Sequence, residues 1–229
     1  MKTLALDTSL SHGSVAAVSA GRVAVRSLPT AVEHARLLAA AVADVAGELG
    51  WRPADAELVA VVRGPGSFTG LRVGVTTAKA ICWTSGARLL GVSAVEVIAH
   101  RAAAVTGRGD IPVAVAFDAG RGEVFAAVAE PAPGAAGIWR VADGVLAPAG
   151  AWLAGLAPGT VVSGPGLAVL GADALAARPD LVVVPPDRWS ATAADVAEVA
   201  LLHAAAGEHD DPATLVPDYI RPSYADEKR

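Results

Sequence analysis

Cysteine is almost missing from this chain: Cys82 is the one example in 229 residues. An internal disulfide and a cysteine-based zinc site are thereby excluded, which fits a reducing compartment. Aromatic residues make up only 4%, and the five tryptophans, Trp51, Trp83, Trp139, Trp152 and Trp189, show no clustering at stacking spacing. They read as packing residues. Charged residues are 18%, the net charge is −5, and no basic block occurs, so autonomous, charge-driven binding of nucleic acid is not expected. No uncharged apolar run reaches the roughly 18 residues of a membrane span. Met1-Lys2 leads into a short strand and Asp7 rather than an apolar leader, so no signal peptide and a cytoplasmic location are expected. Five histidines are present, His12, His34, His100, His203 and His209, with no pair four apart on a helix. No metal site is expected.

Apolar residues are plentiful at 53%, largely alanine and valine, so helices should pack closely. The length suits one domain or two small lobes. In the first half, Leu4-Ala5-Leu6 reads as a strand ending at Asp7-Thr8-Ser9. A strand hairpin comes next, over residues 14–28. Thr30 with Glu33 forms a capping box for a helix whose face is Val32, Ala35, Leu38, Val42, Val45 and Leu49, stopped by Gly50. Leu58-Val59-Ala60-Val61-Val62 is a buried strand. Then come a glycine-rich turn, a helix ending near Gly86, a strand at Arg88 and a helix from Ser93 to Gly107. The order is βββαβαβα.

The second half repeats it. Leu4-Ala5-Leu6-Asp7 is echoed by Val115-Ala116-Phe117-Asp118, and Val61-Val62-Arg63-Gly64-Pro65-Gly66 by Val161-Val162-Ser163-Gly164-Pro165-Gly166. Both pairs fall at the same place in the element order. Two copies at this spacing argue for a duplicated lobe, since solenoid units are shorter. Boundaries are expected at residues 1–107 for the first lobe and 108–207 for the second, with a tail at 208–229. The doubled βββαβαβα unit is that of the actin-like fold shared by sugar kinases and heat-shock ATPases.

The most distinctive stretch is Arg63-Gly64-Pro65-Gly66-Ser67-Phe68-Thr69-Gly70-Leu71-Arg72-Val73-Gly74. It lacks the Gly-Lys-Ser/Thr of a phosphate-binding P-loop, and Ser67 lacks the glycines of a nucleophile elbow. Three readings stand: a tight turn that lets a helix approach a sheet, a phosphate cradle at a helix N-terminus, and a small-residue seam for another protein, because Gly70 and Gly74 share a helix face.

These motifs resemble a known family. Leu4-Ala5-Leu6-Asp7-Thr8-Ser9, the Gly64–Gly74 block, Asp118-Ala119-Gly120-Arg121-Gly122-Glu123-Val124-Phe125 and the tail Tyr219-Ile220-Arg221-Pro222-Ser223-Tyr224-Ala225 are together similar to the bacterial TsaB (YeaZ) family. The resemblance implies a role in making N6-threonylcarbamoyladenosine in tRNA. It implies a non-catalytic subunit that pairs with the transferase TsaD, works with the ATPase TsaE, self-associates through the same helices, and meets tRNA only within the complex. No cofactor of its own is implied, with ATP or ADP confined to the interlobe cleft or the partner junction.

On the helix from Leu71 to Ser85 the apolar and small residues wrap nearly all round, which suggests that one face is buried and the remainder docks. The expected partner interface is Leu71, Arg72, Gly74, Val75, Ala78, Lys79 and Cys82, with His34 and Leu38 from the preceding helix. Gly74→Arg is expected to abolish docking with the fold intact. A nucleotide or phosphate site, if one exists, falls on Asp7, Thr8, Ser9, Gly64, Gly66, Ser67 and Asp118. Asp7 and Asp118 each have a plainer reading as a strand-end aspartate closing a local turn, and Arg221 one as a residue pinning the tail. The alternative to a scaffold is a stand-alone actin-like ATPase or phosphotransferase.

Overall fold

The computed structural model describes residues 1–29 and 31–219, with side chains omitted at 31–34. The first repeat holds β1 (Thr3–Asp7), β2 (Gly13–Ser19), β3 (Arg22–Leu28), α1 (Ala31–Glu48), β4 (Leu58–Gly64), α2 (Phe68–Ser85), β5 (Arg88–Ser93) and α3 (Ala94–Thr106). The second holds β6 (Val113–Gly120), β7 (Glu123–Pro131), β8 (Trp139–Val141), β9 (Val145–Pro148), α4 (Ala149–Ala154), β10 (Val161–Ser163), α5 (Gly171–Ala176), β11 (Val182–Val183) and α6 (Ala193–Ala205).

Sheet order carries the duplication. The first sheet runs β3-β2-β1-β4-β5 and the second β11-β10-β6-β7-β8, with β9 also on β7. Substituting each strand by its repeat partner turns one order into the other, read from opposite ends. In both sheets the opening hairpin is antiparallel and the later strands are parallel. This is the duplicated α/β arrangement of the actin-like fold.

The chain divides into one unit of Met1–Ala94 with Thr192–Arg229 and a second of Val95–Ala191. The sequence boundaries at 107 and 207 therefore shift: α3 goes with the second unit and α6 with the first. The reason for α6 is packing. Side chains alternate along strands, so Leu4, Leu6, Val15, Val59 and Val61 face α1 and α2 in one apolar core with Leu38, Val42, Val45, Val75 and Ala78. The small residues Ala5, Ala16 and Ala60, all buried, take the other face of the same sheet, where α6 lies against β1, β2 and β4. Thr192 and Asp195 form a capping box at the start of α6, and Ser14 Oγ on β2 accepts a further bond from Ala193 N–H at 2.8 Å.

Two local expectations change. α2 starts at Phe68, three residues before the expected Leu71, so Gly70 lies inside the helix rather than in the turn before it. Where the repeated order implies one helix after the second glycine turn, a 3-10 turn over Pro165–Val169 gives way to α5 at Gly171, whose φ is +75°. β9 is an additional strand. The expected capping box at Thr30 and Glu33 lies outside the described residues.

Candidate functional site

The site forms where the end of β1 meets the start of α2. Asp7 ends β1 and is 5% exposed. Its Oδ1 accepts from Ser9 N at 2.9 Å and from Ser9 Oγ at 2.6 Å, a turn in which the carboxylate closes on the backbone two residues on. Ser9 in turn accepts at its carbonyl from Ser67 N at 2.6 Å. Thr8 Oγ1 donates to the Gly70 carbonyl at 2.7 Å. Ser67 caps α2, its hydroxyl accepting from Gly70 N at 3.4 Å. Asp7, Thr8, Ser9, Gly66 and Ser67 are thus brought together, as the sequence motifs group them.

Their glycines are explained by contact. A Cβ on Gly66 would lie 2.5 Å from Ser9 O, one on Gly70 2.0 Å from Thr8 O, and one on Gly74 2.4 Å from Thr8 Oγ1. Real side chains do not fit there, so the helix can ride on the β1–β2 turn only with glycine at these places. Of the three readings, close helix–sheet approach accounts for the geometry, and the Ser9 and Ser67 amides that would face an anion already donate within the turn. Gly64 has a different neighbour: its Cβ would meet Asp218 O at 2.3 Å. Asp118 belongs to the second unit, is exposed, and accepts from Gly120 N at 2.7 Å. Among the described residues no group of three His, Cys, Asp or Glu is placed to hold a metal ion.

Most of the expected interface residues are turned inward. Leu71, Gly74, Val75, Ala78 and Cys82 are buried against their own sheet, as is Leu38. The sheet claims the apolar side of α2, so those side chains offer no surface to a partner. For the same reason Gly74→Arg would collide with Thr8 and is no clean test of docking. Arg72 is exposed and Lys79 half-buried. His34 and Arg221 lie outside the described side chains. Burial pushes the Cys82 thiol up to about 11.

The outward side of α2 carries residues that the motifs do not single out. Trp83 is 70% exposed and Phe68 37%, so Trp83 is not a packing residue, whereas Trp51 and Trp139 are each 5% exposed. At 3.6 residues per turn, Phe68, Arg72, Thr76, Lys79 and Trp83 succeed one another along one stripe. Helical spacing groups these positions on one side, and they are the ones left over once Leu71, Val75, Ala78 and Cys82 face the sheet.

A family model described as tRNA N6-adenosine threonylcarbamoyltransferase, TsaD, matches residues 29–132. The chain is 33% identical over 102 residues to the tRNA threonylcarbamoyladenosine biosynthesis protein TsaB of Escherichia coli, covering 44% of each chain. It is 43% identical over 47 residues to the TsaB of Bacillus subtilis, covering 20% of each. These matches span less than half of the curated relatives' lengths. A solved structure, YeaZ from Pseudomonas aeruginosa, superposes with a TM-score of 0.78 at 26% identity, covering 96% of this chain and 99% of that one.

Proposed function

The chain belongs to the TsaB (YeaZ) family, and from that premise we propose that it serves the biosynthesis of N6-threonylcarbamoyladenosine in tRNA as a non-catalytic subunit that docks TsaD through the outward stripe of α2. The observation that carries this reading is Trp83, a large apolar side chain 70% exposed on a helix whose other side is already used by the sheet. Exposed aromatic residues are typical interface anchors. The location proposed is the cytoplasm, and among the described residues no helix is long and apolar enough to cross a membrane. TsaE is a further partner on this reading, tRNA is met through the complex, and any ATP or ADP serves the assembly rather than chemistry by this chain.

The test uses the TsaD-family protein of the same organism. Trp83→Ala is expected to weaken its binding at least about tenfold by calorimetry, with an unchanged circular dichroism spectrum. Full-strength binding by Trp83→Ala, together with ATP hydrolysis by the purified chain that Asp7→Ala abolishes, would replace the scaffold with a stand-alone ATPase.

A further inference from the structure

Arg72 is held in a way that the docking reading does not require. Its guanidinium carbon lies 3.8 Å from the centre of the Phe68 ring and 5.7 Å from that of Tyr219. Its Nε donates to Tyr219 Oη at 2.8 Å, and the two rings are 4.7 Å apart. Among the described residues Arg72 makes no ion pair, unlike Arg26, Arg52, Arg63, Arg178 and Arg188. One donor of its fork is used and the planar group is fixed by two aromatic rings, while the residue stays exposed.

Tyr219 reaches this place because the segment before it is laid down on the first sheet. Asp210 bridges to β5, its N–H donating to Leu89 O at 2.8 Å and its carboxylate accepting from Gly91 N at 2.8 Å. Leu215 is 6% exposed and occupies the space at Gly91, where a Cβ would lie 2.7 Å from its Cδ1. Asp218 N donates to Arg63 O at 2.7 Å, and the Asp218 carboxylate pairs with Arg63 at 3.2 Å. Gly64 and Gly91 thus both leave room for this strap. Its path is built into the sheet and places Tyr219 beside Arg72.

We propose that Arg72, oriented by Phe68 and by the C-terminal strap through Tyr219, is a preformed clamp for a carboxylate on the protein that docks on α2. The proposal rests on the reading of α2 as the docking face. A guanidinium fork matches a carboxylate in two parallel bonds, and pre-orientation lowers the ordering cost on binding. A carboxylate suits the site better than a nucleic-acid backbone, because the chain carries a net charge of −5 and no basic block that would track successive phosphates.

The experiment measures affinity of the full chain for the TsaD-family protein of the same organism, and retention of tRNA by the complex. Arg72→Lys keeps the charge and loses the fork, and is expected to weaken protein binding about tenfold. Tyr219→Ala is expected to give a similar loss without altering Arg72. Tyr219→Phe keeps the ring and gives a smaller loss, with faster exchange of the Arg72 Nε proton by NMR. Wild-type affinity in Arg72→Lys and Tyr219→Ala, with binding still lost in Trp83→Ala, overturns the clamp and leaves the docking face standing. Unchanged affinity in all three overturns both. A loss of tRNA retention with protein affinity intact identifies the anion as phosphate and overturns the proposal.

Discussion

Asp7 and Asp118 stand at the same point of the two repeats and close the same two-residue turn, yet Asp7 is buried and Asp118 exposed. The glycine turn and helix downstream of each aspartate account for the difference. Gly64 and Gly66 have counterparts in Gly164 and Gly166, and both pairs press on backbone: Gly166 would place a Cβ 2.6 Å from Phe117 C. The next glycines have no counterpart, since Leu170 and Ala174 stand where the first repeat has Gly70 and Gly74. In the first unit α2 runs for 18 residues and lies over Thr8. In the second the matching stretch is a 3-10 turn and a six-residue helix, and Ala119 replaces the threonine that bonds to the helix. A first glycine pair brings the turn to the strand; a second pair is what lets a long helix ride over the hairpin.

The largest expected effect tests that second pair. Gly70→Ala should cost more than about 3 kcal/mol in urea unfolding, because a Cβ 2.0 Å from a backbone oxygen forces the helix off the hairpin. Leu170→Ala, at a half-buried position, should cost about 1–2 kcal/mol. The reverse ranking would break the comparison. Next, Asp7→Asn should cost about 1–2 kcal/mol through weaker acceptance from Ser9, while Asp118→Asn stays within about 0.5 kcal/mol; equal losses would show that burial of the first turn is immaterial. The last effect is absent at neutral pH: the pH response of Cys82. Its folded value is raised from 9.0 to about 11 by burial beside the sheet, so its stabilising contribution is complete below pH 9 and lost as pH rises through about 11. The stability difference between wild type and Cys82→Ala should therefore be constant below pH 9 and move against the wild type only in that alkaline window.

The element order, the duplication and most strand positions are legible from apolar runs and glycine stops. The Thr192–Asp195 box and the left-handed Gly86 at the end of α2 are local signals, and the structure keeps both. β9 is not legible, because Val145–Pro148 carries no pattern of its own and becomes a strand by pairing with β7. The grouping of Asp7, Thr8 and Ser9 with Gly66 and Ser67 could be read from the fold class. The orientation of α2 could not: a helix apolar nearly all round does not say which side the sheet takes, so Leu71, Val75, Ala78 and Cys82 were assignable to either. The strap at 208–219 has no periodicity, and its one buried apolar anchor, Leu215, gives no pattern to detect.

The first unit is assembled from two separate stretches of chain, Met1–Ala94 and Thr192–Arg229, with the second unit threaded between them. During synthesis on the ribosome, sheet one emerges early but waits for α6 to cover the face lined by Ala5, Ala16 and Ala60. The intervening unit has all its strands and can close before its predecessor is finished. Stalled chains ending near residue 191 and extended by a linker long enough to clear the ribosome should therefore protect the later-made unit from protease while leaving the earlier-made one open to it; protection of both at that length would show that α6 is dispensable for closure.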